Sequence, residues 1–131
     1  MGTISLQRIL LADDEPDIVE IARIALETLG GYEVLTCGSG SEVLELVPQF
    51  RPDLVVVDVL MPDLGGVEVV DRVRQLPGFG SLPIVFLTGL VFDPELNKLW
   101  EAGPVEIITK PFDPMTLAER IERVWEKIDD D

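Results

Sequence analysis

Histidine is absent from this 131-residue chain, which removes imidazole catalysis, His-ligated metals and any phosphohistidine of its own. Cys37 is the single cysteine, so neither an internal disulfide nor a thiolate zinc cluster can form, and a reducing, cytoplasmic setting is expected. Cations are scarce as well. Ten Lys and Arg stand against 25 Asp and Glu, a net charge of −15 that repels nucleic-acid phosphates, so no direct nucleic-acid partner is expected. No apolar run approaches the ~20 residues of a membrane helix. The apolar run from Ile9 to Ala12 is cut short by Asp13 and Asp14, so neither a signal peptide nor a membrane contact is expected. What remains is ample for a core. Apolar residues make up 47% of the chain, consistent with one domain spanning 1–131, packed over about 7–127 with short frayed ends.

Short β-branched runs alternate with amphipathic ones. Strands are expected at Arg8–Ala12, Tyr32–Thr36, Leu54–Val57, Ile84–Leu87 and Val105–Thr109. The third and fourth are apolar without alternation, as in parallel strands covered on both faces. Between them lie helical ladders: Ile18, Ile21, Ala22, Ala25, Leu26 and Leu29 in Asp17–Leu29, and Leu117, Ile121, Val124, Trp125 and Ile128 in Pro114–Ile128. Ser39 with Glu42 reads as a capping box for a short helix through Val47. Gly66–Leu76 points Val67, Val70 and Val73 inward, and Asp93-Pro94 and Asp113-Pro114 read as helix starts. Five βα units imply an α/β fold, a doubly wound parallel sheet with right-handed crossovers and helices on both faces.

Functional groups of such sheets gather at the carboxyl ends of the strands. There the sequence places Asp13-Asp14-Glu15, Asp58, Thr88 and Lys110. Taken singly, an Asp at a strand end is a turn residue or a cap, and a Lys before Pro is a surface lysine. Jointly they bring three aspartates to one rim. Oxygen-only ligands of high negative charge fit Mg²⁺ or Mn²⁺, and a lysine with a threonine hydroxyl fits a phosphoryl group. Under those charges an Asp carboxylate can attack phosphorus and become an acyl phosphate.

Asp13-Asp14, Asp58 within Asp-Val-Leu-Met-Pro-Asp-Leu-Gly-Gly, Thr88 and Lys110-Pro111-Phe112, in this order and spacing, resemble the receiver domain of two-component response regulators over roughly Gln7 to Lys127. The resemblance implies a flavodoxin-like three-layer sandwich with strand order 2-1-3-4-5. It implies Asp58 as phosphoacceptor, with Mg²⁺ (or Mn²⁺) held by Asp14 directly, Asp13 through water, Asp58 and the Leu60 backbone carbonyl. Lys110 and Thr88 would bind the phosphoryl group, Thr88 as the switch hydroxyl, and Gly66 would be the loop glycine. The implied phosphodonor is a sensor histidine kinase or a histidine phosphotransfer protein. Output to an unidentified partner, or dimerisation, would use the helix after Asp93, the fifth strand and the last helix.

Three positions depart from the family pattern or tune it. Ile107 stands where the family has an aromatic switch ring, and it reads equally as strand packing. Leu60 and Leu90 occupy the two positions that govern hydrolysis of the acyl phosphate. Neither can orient a water, so slow self-dephosphorylation is expected. Trp100 and Trp125 read as core, with a docking surface as the alternative for them and Phe92; Pro104 stiffens the approach to the last strand, and Cys37 reads as inert. Other readings stay open. They are a degenerate receiver used only as an interaction module, an aspartate-nucleophile phosphatase, and a small flavin- or nucleotide-binding protein. The phosphatase wants an acid at Leu60, and the nucleotide binder wants a phosphate cradle where Asp13-Asp14-Glu15 stands.

Overall fold

In a computed structural model of the chain the described residues are 5–61, 63–89 and 105–130. Nine elements follow in order: β1 (Arg8–Ala12), α1 (Pro16–Thr28), β2 (Glu33–Cys37), α2 (Gly40–Phe50), β3 (Leu54–Asp58), α3 (Gly66–Gln75), β4 (Ile84–Thr88), β5 (Val105–Thr109) and α4 (Pro114–Asp130). The expected helix start at Asp93-Pro94, together with Leu90, Phe92, Trp100 and Pro104, lies outside the described residues. All strand pairs are parallel and the sheet order is 2-1-3-4-5, the flavodoxin-like order that the family resemblance implied.

Strand alternation sorts the core into two layers. Leu10, Ala12, Val55, Val57 and Phe86 face Val43 and Val47 of α2 and Val69, Val70 and Val73 of α3. Ile9, Leu11, Leu54, Val56, Val85 and Leu87 face Ala22 and Leu26 of α1 and Leu117, Ala118 and Ile121 of α4. Every residue of β3 and β4 is buried, because these central strands carry a helix layer on each face.

Local chemistry sets the helix starts. Ser39 Oγ accepts the Glu42 N–H at 3.3 Å, while Glu42 Oε1 takes the Ser39 hydroxyl at 3.0 Å and the Gly38 N–H at 3.4 Å. Asp113 Oδ1 accepts the Met115 N–H at 2.9 Å and so caps α4. Some bounds differ from the sequence reading. β2 begins one residue later, because Tyr32 turns its hydroxyl to Glu122 of α4 and leaves the sheet. α2 continues through Pro48 to Phe50, whose ring carries the Arg8 guanidinium 4.7 Å above its centre. In α3 the inward set is Gly66, Val69, Val70 and Val73, with Val67 only half-buried. In α1, Ile21 and Ile24 are exposed, as is Leu29 just past its end, because Ala22, Ala25 and Leu26, with Val19 half-buried beside them, fill its inner face. Val124 and Trp125 pack half-buried against the lower layer, as the core reading of Trp125 requires.

Candidate functional site

Parallel strands end on one side, so the residues following β1, β3 and β5 meet there without any further device. Asp13 is 2% exposed and Asp58 7%. The Asp13 N–H extends the β1–β2 ladder by bonding the Cys37 carbonyl at 3.2 Å. Its Oδ1 accepts the Glu15 N–H at 2.9 Å, which fixes the carboxylate from its own chain. Asp58 Oδ1 accepts the Leu60 N–H at 3.1 Å in the same two-residues-on pattern. Thr88 is buried at the end of β4, and its carbonyl accepts the Lys110 N–H at 2.8 Å. That bond sets where the lysine side chain starts.

Lys110 then reaches into the acids. Its Nζ lies 2.7 Å from Asp13 Oδ2, 3.0 Å from Asp58 Oδ2 and 3.2 Å from Glu15 Oε1, with the side chain only 15% exposed. Burial alone would lower the lysine pKa, but hydrogen bonds to Asp13 and Asp58 outweigh it and hold the ammonium above its ordinary value. Burial dominates at Asp13, whose pKa is raised although Lys110 and the Glu15 N–H oppose the shift. Asp13 Oδ2 accepts no well-aligned hydrogen bond among the described residues; its compensation is the close ammonium.

One carboxylate oxygen from each of Asp13, Asp14, Glu15 and Asp58 can be chosen so that all lie within 4.8 Å of one another. Two unit charges at that spacing repel by roughly 1 kcal/mol in water and about 3–4 kcal/mol at an effective dielectric of 20. One ammonium offsets much of that repulsion but leaves four carboxylates with a surplus of negative charge. Hard oxygen donors, a buried carboxylate and a surplus of negative charge fit a small dication such as Mg²⁺ or Mn²⁺. Sequence reasoning placed Asp13, Asp14, Asp58, Thr88 and Lys110 on this rim, and all five stand there. It missed Glu15 as a member. The unbroken acidic run Asp13-Asp14-Glu15 was the available signal.

Around the rim, Leu60 is 61% exposed and sits beside Asp58. Gly66 closes the same loop. A β-carbon there would lie 2.6 Å from the Phe86 ring and 3.0 Å from Val59 Cα, so glycine is required for the loop to pack. Ile107 is half-buried against the upper core layer, as strand packing predicts. Cys37 is buried and its thiol is pushed up to about 11, mainly by burial, so it is inert at neutral pH. A cavity of about 770 Å³ lined by Tyr32, Glu119, Glu122 and Trp125, among others, shares no residue with the acidic rim.

The profile of the response regulator receiver domain matches residues 9–122. An uncharacterised 14.6 kDa protein of Leptolyngbya boryana is 33% identical over 94% of this chain and 93% of its own length. The alkaline phosphatase synthesis transcriptional regulatory protein PhoP of Bacillus subtilis is 37% identical over 90% of this chain. This chain spans only 48% of PhoP. Among solved structures, the chemotaxis response regulator CheY4 of Vibrio cholerae superposes with a TM-score of 0.81 and 32% identity, over 92% of this chain and 99% of that one. A response regulator of Chloroflexus aurantiacus gives 0.80 and 32%, over 93% and 99%.

Proposed function

Because the chain belongs to the response regulator receiver domain family, we propose that Asp58 accepts a phosphoryl group and that the protein is a switch in a two-component phosphorelay. Receiver domains bind Mg²⁺ at an acidic pocket, and the rim described above supplies one. The residues that would hold the cation are Asp13, Asp14, Asp58 and the Leu60 carbonyl, with Glu15 beside them. When bound it would neutralise the clustered carboxylates and take up charge on the transferring phosphoryl oxygens.

The observation that carries this reading is Lys110 bridging Asp13 and Asp58, which fixes the proposed acceptor carboxylate beside a part-buried cation. A carboxylate oxygen of Asp58 forms a bond to phosphorus as the phosphorus–nitrogen bond of a phosphohistidine breaks. The donor imidazole, protonated on its other ring nitrogen, keeps the electron pair of the broken bond and leaves as neutral imidazole. Lys110 stays at hand for a phosphoryl oxygen, and the Thr88 hydroxyl donates to another. Ile107 offers no ring to follow Thr88, so switching runs through the Thr88 loop itself. Leu60, exposed beside Asp58, offers no group to orient a water and shields the acyl phosphate.

The donor is a sensor histidine kinase or a histidine phosphotransfer protein. Ile21, Ile24, Leu29, Pro114 and Met115 line an apolar groove of about 320 Å³. It is formed by α1, which begins directly after the acidic run, and by the first turn of α4, which begins four residues after Lys110. It offers the donor protein an apolar surface on the two helices that start near the site. A net charge of −15 disfavours direct contact of these 131 residues with nucleic acid.

Acetyl phosphate with Mg²⁺ tests the reading. We expect a +80 Da adduct by mass spectrometry, lost in Asp58→Asn, that decays over minutes or longer. Turnover of a phosphate ester instead would identify a phosphatase, and no adduct would leave an interaction module.

A further inference from the structure

The loop 59–65 follows the acceptor strand directly and is tied to three partners. The Leu60 N–H donates to Asp58 Oδ1 at 3.1 Å, and the Gly66 N–H closes onto the Val59 carbonyl at 2.8 Å. The third tie leaves the loop. Asp63 Oδ1 accepts the Gly40 N–H at 2.9 Å, and Oδ2 accepts the Ser41 N–H at 3.0 Å together with the Ser41 hydroxyl. These amides open α2, where the first-turn N–H groups need acceptors from outside the helix. Contact is close. A β-carbon at Gly40 would lie 2.7 Å from Leu64 Cβ and 2.8 Å from the Leu64 carbonyl oxygen, so only glycine lets the helix seat on the loop. α3 offers no such hold, because Gly65 at its N-cap contributes no side-chain bond. The Ser41 N–H, helped by that of Gly40, keeps the Asp63 carboxyl below the ordinary aspartate value.

We propose that Asp63 is a positioning residue for phosphoryl transfer. Its bonds to the α2 amides hold the 59–65 loop so that the Leu60 carbonyl and the Asp58 carboxylate stay where cation and phosphoryl group meet them. The inference rests on the phosphoacceptor reading of Asp58. It also makes α2 responsive to loading of the site, because a shift of the loop pulls on Gly40 and Ser41.

Asp63→Ala and Asp63→Asn test it in the full chain. The measurements are Mg²⁺ titration calorimetry, the rate of adduct formation with acetyl phosphate, and amide hydrogen exchange at Gly40 and Ser41. In the unaltered protein Mg²⁺ slows exchange at both amides. Asp63→Ala removes that response and weakens Mg²⁺ binding about tenfold, the loss typical of a group that orients a metal ligand. Asp63→Asn, which keeps one acceptor oxygen, falls between; it decides by the same criteria if the alanine variant unfolds. Faster exchange at Gly40 and Ser41 with unchanged Mg²⁺ affinity and adduct rate overturns the positioning role alone. An unaltered protein that neither binds Mg²⁺ nor gains the adduct overturns the phosphoacceptor reading, and the role of Asp63 with it.

Discussion

Asp13 carries the sharpest conflict at the scale of single residues: it is buried, charged, and compensated mainly by one ammonium. Its folded-state pKa is raised, chiefly by burial, so its ionisation is harder in the folded than in the unfolded chain. The sign follows from linkage: the ionised group costs stability at neutral pH, and the cost vanishes as pH falls below both values. Asp13→Asn should therefore raise the Tm of the protein in EDTA at pH 7 by a few degrees. About 1 kcal/mol moves Tm by roughly 3–5 °C in a domain of this size. The gain should shrink toward pH 4, and calorimetry at the two pH values checks both parts. Not every such residue was legible in the sequence. Asp13, Asp58 and Lys110 were, because each closes or follows an apolar strand. Glu15 stands in the acidic run without a role of its own, and its oxygen within 4.8 Å of the other carboxylates together with the 3.2 Å approach of Lys110 brings it into the site. Asp63 reads as a turn residue, since the amides it serves lie more than twenty positions away.

Elements were legible where burial is one-sided or total, and less so where a neighbour decides. β3 and β4 announce themselves by unbroken apolar runs. β2 is an edge strand, mostly half-buried, and its start shifted because the Tyr32 side chain has a tertiary partner that no periodicity reveals. α1 misled in a more useful way. Its ladder placed Ile21 and Leu29 inside, yet both are exposed beside Ile24 and Met115. Their outward exposure beside the first turn of α4 lines the groove proposed for donor docking. Ile24→Asp should slow phosphorylation by a cognate phosphohistidine protein at least tenfold more than phosphorylation by acetyl phosphate. Losing a buried aliphatic side chain from an interface is worth about 1–3 kcal/mol, before the cost of burying the new charge. Parallel kinetics with the two donors give the ratio, and equal slowing would remove the groove from the donor interface.

For the whole molecule, alternation within the strands sorted the core into two layers, and this was readable from apolar patterning together with the βα rhythm. The strand order was not; it came with the family resemblance, because patterning does not say which strand lies beside which. Net charge acts on the same scale. Fifteen surplus negative charges repel one another in the folded state more than in an expanded chain. Screening should relieve this, since the Debye length falls from about 30 Å at 0.01 M salt to about 8 Å at 0.15 M. The Tm should thus rise when NaCl is increased over that range, and a flat calorimetric response would show that self-repulsion is negligible here. Phosphorylation would replace the single negative charge of Asp58 by about two, a net gain of about one at the rim, so the switched form should gain more from salt than the resting one.

Lys110 gives the resting pocket a counter-ion that cannot diffuse away. A sodium ion displaced by magnesium would be lost to bulk water, but this ammonium, leashed to β5, withdraws only as far as its own methylene stem allows. On the proposed function it would therefore still be in reach of an incoming dianionic phosphoryl group, and one tethered cation would serve both states of the pocket in turn.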